Sequence, residues 1–185
     1  MKKTTYLIII IALVLIYGAV TYNNLVSANV AVDTQWAQVE TQYQRRLDLI
    51  PNLVASVQGI FSQEQAIFTA LAEARTRYSG AVSVNDKAQA ATQVESALGR
   101  LLAVVENYPQ LKSSETVQTL MTQLEGTENR VSVERNRFNT SVQNYNLLTK
   151  RFPSRIIASV FGFEAKAYFE AASGAEVAPK VDLSV

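Results

Sequence analysis

The feature that most constrains the fold of this chain is a heptad series of apolar residues from Trp36 to Tyr78. Its members are three, four or seven residues apart, which places them on one stripe of an α-helix. The phase does not reset at Pro51, and two helices joined by a loop would have no reason to share one register. The spacing therefore predicts one long helix from about Asn29 to Tyr78 that is kinked, and not ended, at Pro51. The series is Trp36, Tyr43, Leu47, Ile50, Val54, Val57, Phe61, Phe68, Leu71 and Tyr78.

Further helical segments follow and carry stripes of their own. Residues 79–86 suit a loop, in which Asn85 or Asp86 can cap the next helix, and Ser114 can cap the one after it. Short connections make consecutive helices antiparallel, so the pattern predicts an all-α fold. Within it, residues 29–172 form an antiparallel up-and-down four-helix bundle, and residues 173–185 form a flexible C-terminal tail. The later segments are 88–108, 117–145 and 154–171.

The N-terminus predicts a membrane anchor. Residues 6–24 form an uncharged, mostly apolar stretch, close to the ~20 residues that a transmembrane helix needs. Tyr6, Tyr17 and Tyr22 stand near its ends, where aromatic side chains suit the headgroup region. A cleaved signal peptide is the competing interpretation, with cleavage near Ala28, but the apolar run is long for a signal core and ends well before that site.

The charges around the anchor predict its orientation. Lys2 and Lys3 precede it, within a cytoplasmic N-terminus of residues 1–5, and the next basic residue is Arg45. Under the positive-inside rule, the N-terminus stays inside and the helical domain is exported. We expect a single-pass protein of the bacterial cytoplasmic (inner) membrane, in contact with the lipid bilayer.

Composition excludes several function classes. The chain has 185 residues, a net charge of +1, no cysteine and no histidine. These absences remove disulfides, zinc fingers, haem and Fe–S ligation and histidine-based catalysis. The weak net charge argues against a nucleic-acid partner. No nucleotide-binding or calcium-binding motif is present. We therefore predict no catalytic residue, cofactor or metal site, and no enzymatic activity.

One polar cluster lies on the predicted long helix, around Pro51. Arg45, Asp48 and Asn52 fall on its outward face, which is typical of a solvated, salt-bridged surface. Leu49 also falls outward, and Leu53 lies on a flanking line, so the apolar surface is wider than one seam requires. The alternative hypothesis is therefore a partner-binding face, formed by Arg45, Arg46, Asp48, Leu49, Asn52 and Leu53.

A second cluster alternates in sign within residues 126–137. A catalytic interpretation would need paired carboxylates in a cleft, one of them with a shifted pKa. Half-buried ion pairs that fix helix register explain the pattern more simply, and a partner site is the remaining alternative. The hypothetical ion-pair residues are Glu128, Arg130, Glu134 and Arg135.

Aromatic residues are concentrated in VFGFEAKAYFEA, residues 160–171. We expect them to pack on the end of the bundle and complete its core. Alternatively, the segment could lie on a membrane surface. Lys166 is its only central basic residue, which weakens that alternative.

Several stretches resemble the LemA family of membrane proteins: YNNLV (22–26), VDTQWAQVETQYQRRLDLIPNLV (32–54), YPQLKSS (108–114), LEGTENRVSVERNRFN (124–139) and FPSRIIASVFGFEAKAYFEA (152–171). The resemblance implies an N-terminal anchor and an antiparallel four-helix bundle, and says little about activity. Relatives associated with magnetosome membranes imply a part in membrane organisation, by analogy only.

The chain departs from the family pattern in VQGIFSQE (57–64), which has Gln58 and Gln63 where many members have lysine and histidine. Arg155 occupies a position that is often asparagine. A family hypothesis that needs the histidine for metal or proton chemistry does not apply to this chain.

Two functions remain as hypotheses. The first is a non-enzymatic, membrane-anchored scaffold that self-associates as a homo-oligomer, a coiled-coil-like assembly, and organises the envelope membrane. The second is a small adaptor that binds a membrane enzyme or substrate in envelope quality control. The mass of the detergent-extracted protein discriminates between them.

Overall fold

A computed structural model describes residues 2–58 and 65–169 of the chain, and all regular structure in this part is helical. Contacts between Cα atoms divide the chain into two compact units. Of the described residues, unit 1 contains 2–46 and 124–168, and unit 2 contains 47–58, 65–123 and Phe169. The helices are α1 (Lys2–Val57), α2 (Gln65–Gly80), α3 (Val84–Asn107), α4 (Pro109–Lys112), α5 (Glu115–Lys150) and α6 (Ser154–Val160).

Helix α1 is unbroken from the apolar N-terminus into the packed domain. The sequence alone left open whether the predicted anchor is continuous with the next helical segment, and the structure shows one helix from Lys2 to Val57. Pro51 lies within α1, so it does not end the helix. The bend at Pro51 stays a prediction. The predicted single helix to Tyr78 includes residues 59–64, which lie outside the described residues. Most of VQGIFSQE (57–64) and the predicted tail, residues 173–185, also lie outside them.

The N-terminal part of α1 is long and apolar enough to cross a membrane. Its side chains are uncovered, with Ile8 62% exposed and Leu15 68% exposed. Burial inside unit 1 begins at Thr21, within the predicted anchor of residues 6–24, and continues at Leu25, the first residue after it. The chain therefore passes from an uncovered apolar helix to a packed one without a linker.

In unit 1, α1 and α5 pack antiparallel. The rings of Trp36 and Phe138 meet edge to face, with centroids 5.3 Å apart. Further along α1, Arg46 contacts Glu128, which is earlier on α5. Contact positions that rise on one helix while they fall on the other define an antiparallel pair, as an up-and-down arrangement requires. The edge-to-face ring pair contributes about 0.5–1.5 kcal/mol beyond its buried area.

In unit 2, helices α2 and α3 form a hairpin, and Arg77 donates a hydrogen bond to Gln93 across it. The core residues predicted from the heptad stripes are buried here, including Leu71, Leu98 and Leu101. Their burial confirms the helical period of these segments.

The predicted loop between these two helices is shorter than expected. Helix α2 runs to Gly80, and Ser83 is the N-cap of α3 in place of Asn85 or Asp86. The Ser83 backbone is extended, and its Oγ accepts a hydrogen bond from the Asp86 amide at 3.0 Å. The Asp86 carboxylate accepts from the same hydroxyl at 2.7 Å. Asp86 thus acts in the first turn, where a negative charge suits the helix dipole, and the cap falls three residues before it.

The predicted last helical segment, residues 154–171, is also shorter than expected. Helix α6 ends at Val160, and Gly162 follows with φ of 73°. In this left-handed conformation, the Phe163 amide donates to the Ala158 carbonyl at 2.9 Å. That hydrogen bond closes a Schellman-type cap, which a glycine permits at no steric cost. Residues 163–169 then continue without regular secondary structure.

Candidate functional site

In unit 1, α1 has a line of buried side chains at seven-residue spacing, and this line ends in a charged residue. Leu25, Val32, Val39 and Arg46 form this line, and all four are buried. A core-facing helix of a bundle needs a third buried line beside the a and d lines, because it contacts more than one neighbour. Arg46 continues the apolar line, which explains why an arginine is inside.

Arg46 forms an ion pair with Glu128 of α5. The Arg46 side chain is 7% exposed, whereas that of Glu128 is 46% exposed. The pair thus joins a buried cation to a half-exposed anion. A buried charge is tolerated when it is paired, and removing the partner costs far more than the pair gains.

A second polar group joins α1 and α5 through Glu134. Gln35 donates to one Glu134 oxygen at 2.6 Å, and Arg137 contacts the other at 2.8 Å. The Glu134 side chain is 15% exposed, while that of Arg137 is 65% exposed. Both carboxylate oxygens are therefore satisfied, one from the facing helix and one from the same helix.

Arg135 reaches across to Tyr43 of α1. It donates a hydrogen bond to the Tyr43 hydroxyl, and its guanidinium lies 5.4 Å from the centroid of the Tyr43 ring. Desolvation by burial lowers the pKa of Arg135 to about 10. The group still remains charged near neutral pH, so the site is a cation held against an aromatic ring. Arg130, the other residue of the predicted cluster, lies exposed on α5.

The predicted partner-binding residues fall into exposed and buried groups. In unit 1, Arg45 is exposed and Arg46 is buried. In unit 2, Asp48 and Asn52 are exposed, Leu49 is half-buried and Leu53 is buried. Arg46 and Leu53 are therefore core residues and offer no free surface. The signal that would have found this is the seven-residue line of apolar side chains that each of them continues.

Asn52 also borders a shallow, open groove in unit 2, between the end of α1 and the start of α5. The groove is lined mainly by polar side chains, which differs from the apolar character of typical small-molecule pockets. Its lining residues are Asn52, Ser56, Glu115, Thr116, Thr119, Leu120 and Gln123.

The end of α5 and all of α6 form a corner, residues 150–161, that packs against α1 beside its apolar run. A Cβ atom placed on Gly18 would lie 3.7 Å from Cδ1 of Ile157. The Tyr22 ring lies 4.8 Å from the Phe161 ring and 5.8 Å from the Phe163 ring, between centroids. The buried Ser154 hydroxyl holds the turn by donating to the carbonyls of Leu148 and Arg151. We call these residues the α5–α6 corner.

The segment after the corner is fixed by Asn146 and Lys166. The buried Asn146 side chain donates to the Lys166 carbonyl and accepts from the Lys166 amide, both at 2.8 Å. The Lys166 ammonium lies 2.6 Å from Asp33 of α1 and 5.5 Å from the centroid of the Tyr145 ring. Burial, together with the charges of Asp33 and Glu164, raises the pKa of Tyr145. We call the Asn146–Lys166 hydrogen bonds the clamp. Sequence reasoning missed it, because no local pattern marks a contact across 20 residues, nor the contact of Lys166 with Asp33 across 133 residues.

Comparison with known proteins decides the family. The LemA family matches residues 35–183, which is most of the chain. The chain belongs to the LemA family. This confirms the resemblance that the sequence motifs indicated.

Curated relatives of this LemA-family chain carry the name magnetosome protein MamQ. Two of them, MamQ 1 and MamQ 2 of Paramagnetospirillum magneticum AMB-1, are each 27% identical over 175 residues, covering 80% of this chain and 64% of their own length. MamQ of Magnetospirillum gryphiswaldense MSR-1 is 39% identical over 74 residues, covering 40% of this chain and 27% of its own length. The chain thus spans about two thirds or less of the relatives that it matches.

The polar contacts described above between α1 and α5 of this LemA-family chain are hydrogen bonds and ion pairs. Within residues 2–58 and 65–169, no three acidic side chains gather into a possible metal site. Glu128 and Glu134 each contact an arginine, and they belong to different turns of α5. The arrangement can fix the register of α1 against α5.

Proposed function

We propose that this LemA-family protein is a non-enzymatic, membrane-anchored helical scaffold that self-associates and organises the bacterial envelope membrane. The observation that carries the proposal is the unbroken course of α1 from the apolar run into unit 1. A scaffold must hold its domain in a defined orientation to the bilayer, and a continuous helix does so where a flexible linker would not.

Packing around the end of the apolar run supports retention of the anchor. Cleavage near Ala28 would remove Thr21 and Leu25, which are buried in unit 1. It would also remove Tyr22, whose ring contacts those of Phe161 and Phe163. A signal peptide makes no such contribution to the mature fold.

The location follows from the anchor and its flanking charges. Lys2 and Lys3 precede the apolar run, and Arg45 is the next basic residue. This asymmetry supports a single pass through the cytoplasmic membrane, with the N-terminus inside and the helical domain outside. The names of the MamQ relatives contain no enzymatic term, which supports the non-enzymatic part of the proposal.

Self-association is assigned to the exposed α1 surface of unit 2. Asp48 and Asn52 are exposed there, and Leu49 between them is half-buried. An apolar group rimmed by polar ones suits a protein contact. The surface is restricted to these residues, because Arg46 and Leu53 belong to the core.

The deciding experiment is the mass of the full-length protein in a mild detergent. We expect a discrete assembly larger than a monomer, and we expect Leu49→Asp to reduce its mass, since a buried carboxylate at a contact is costly. Val82→Asp is the matched control, because Val82 is 92% exposed in the α2–α3 loop. A monomer at every accessible concentration would overturn the scaffold and favour the adaptor, and equal effects of the two variants would remove Leu49 from the contact.

A further inference from the structure

We propose that the α5–α6 corner is a second membrane-binding element. It inserts apolar side chains into the leaflet through which α1 leaves the bilayer, and it binds anionic lipid headgroups with its basic residues. The inference rests on the proposed membrane span of α1, and adds a lipid-binding site that the span does not supply.

The corner lies beside the C-terminal end of the apolar run of α1. Ile157 packs beside Gly18, which precedes Tyr22 by four residues. Four residues correspond to about 6 Å along a helix axis. If Tyr22 marks the headgroup level, as tyrosines do at the ends of spans, α6 lies slightly below it. Interfacial helices bury their apolar face about 5–10 Å into this boundary, so the depth is appropriate.

The outer face of the corner exposes apolar side chains. Phe152 is 84% exposed, Ile156 is 54% exposed and Val160 is 71% exposed. Their spacing of four residues places Ile156 and Val160 on one face of α6. The opposite face already packs inside unit 1, since Ser154 and Ala158 are buried. The outer apolar face is therefore not needed for the core.

The corner also carries exposed positive charges. Lys150, Arg151 and Arg155 are exposed on the corner. The sequence contains no acidic residue between Glu134 and Glu164, and α1 has no charged residue between Lys3 and Asp33. The corner is thus a positive patch beside an uncharged helix. Basic residues close to an anionic lipid surface are attracted to its headgroups.

The absence of cysteine from the chain makes a direct test possible. Full-length Ile156→Cys carries a nitroxide label in vesicles of phosphatidylethanolamine with phosphatidylglycerol. We expect the label to be accessible to oxygen and protected from a water-soluble nickel complex. Val133→Cys on α5 is the matched control, because Val133 is 47% exposed and lies away from the corner. Its label should be accessible to the nickel complex.

A third label separates this inference from the membrane span itself. Ile11 is 50% exposed within the apolar run, so a label on Ile11→Cys should lie deep in the bilayer. Protection at position 11 with nickel access at position 156 would overturn the inference and leave the anchor intact. Nickel access at position 11 would overturn both.

The charge component has its own variant. Arg151→Gln with Arg155→Gln, in the Ile156→Cys background, should raise nickel access in the anionic vesicles to the level seen in phosphatidylcholine vesicles. Equal label depth in the anionic and phosphatidylcholine vesicles, without the substitutions, would overturn the recognition of anionic headgroups.

Discussion

At the scale of single residues, Arg46 shows how one line of side chains can combine apolar packing with charge. Leu25, Val32 and Val39 precede it at seven-residue steps, and all are buried. The long arginine side chain packs along this line while its guanidinium meets Glu128. Such a pair contributes little to stability compared with a hydrophobic substitute, but it penalises any register that separates the two charges.

The ion pair predicts an asymmetry between single and double substitutions. Glu128→Gln leaves the buried Arg46 without its carboxylate, so we expect the free energy of unfolding to fall by about 1.5–3 kcal/mol. Adding Arg46→Met should recover much of this loss, because an apolar side chain suits the line. Unfolding of the detergent-solubilised protein, followed by far-ultraviolet circular dichroism, measures both changes.

Glu125→Gln is the control for this prediction, because Glu125 is exposed on α5 within one turn of Glu128. We expect it to change the free energy of unfolding by less than about 0.5 kcal/mol. Equal losses for Glu125→Gln and Glu128→Gln would contradict a specific role for the pair.

At the scale of elements, the sequence predicted the helices and their buried stripes well. Val94, Leu98, Val131 and Phe138 are buried as their spacing requires, because side-chain direction follows directly from the helical period. The third buried line on α1 was missed, since two lines suffice for a coiled coil whereas a helix with several neighbours buries more.

The end of α6 and the site at the corner could not be predicted in the same way. Gly162 ends the helix in a left-handed conformation, whereas Gly99 and Gly126 lie inside helices, so the presence of a glycine alone does not predict a helix end. The contacts of Tyr22 with Phe161 and Phe163 join residues more than a hundred positions apart, so no local pattern encodes them. Charge spacing did find Glu128 and Glu134, but it did not identify Arg46 and Gln35 as their partners.

The clamp between α5 and the segment after α6 gives a prediction at this scale. Asn146→Ala removes both hydrogen bonds to the Lys166 backbone. Loss of about 1–1.5 kcal/mol from a hydrogen bond corresponds to roughly tenfold faster exchange of the Lys166 amide hydrogen. Hydrogen–deuterium exchange with mass spectrometry of residues 163–169 measures the change. Asn144→Ala, at an exposed position two residues earlier, should leave the exchange unaltered, and equal protection in both variants would rule out the clamp.

At the scale of the whole molecule, the central feature is that the chain changes its surroundings along one helix. Residues near Ile8 and Leu15 are uncovered and apolar. In contrast, Tyr22 contacts Phe161 after α6, and Trp36 and Arg46 contact α5. Membrane association and LemA-family membership agree with this division. The proposed orientation rests on Lys2 and Lys3, which precede the apolar run, and it predicts which side of the membrane the domain faces.

Orientation can be measured with one cysteine. Asn85 is exposed in the first turn of α3, and Asn85→Cys would be the only thiol in the chain. We expect an impermeant maleimide to label it on cells whose outer membrane has been made permeable, because the proposed orientation places the domain outside the cytoplasmic membrane. Thr4→Cys, before the apolar run, should be labelled only after lysis. The reverse pattern would mean that the domain faces the cytoplasm.

Because α1 is unbroken, a tilt of its apolar part would move the attached residues of unit 1 sideways. Membrane-spanning helices tilt by about 20° on average, and they tilt further when the bilayer is thinner than their apolar length. From Tyr22 to Arg46, α1 of unit 1 extends for about 36 Å, so a tilt of this size displaces Arg46 sideways by about 12 Å. The α5–α6 corner lies on one side of the pivot and would favour some tilt directions over others. In the proposed self-associated scaffold, a change of a few ångströms in bilayer thickness would therefore change the distance between neighbouring domains by a larger amount.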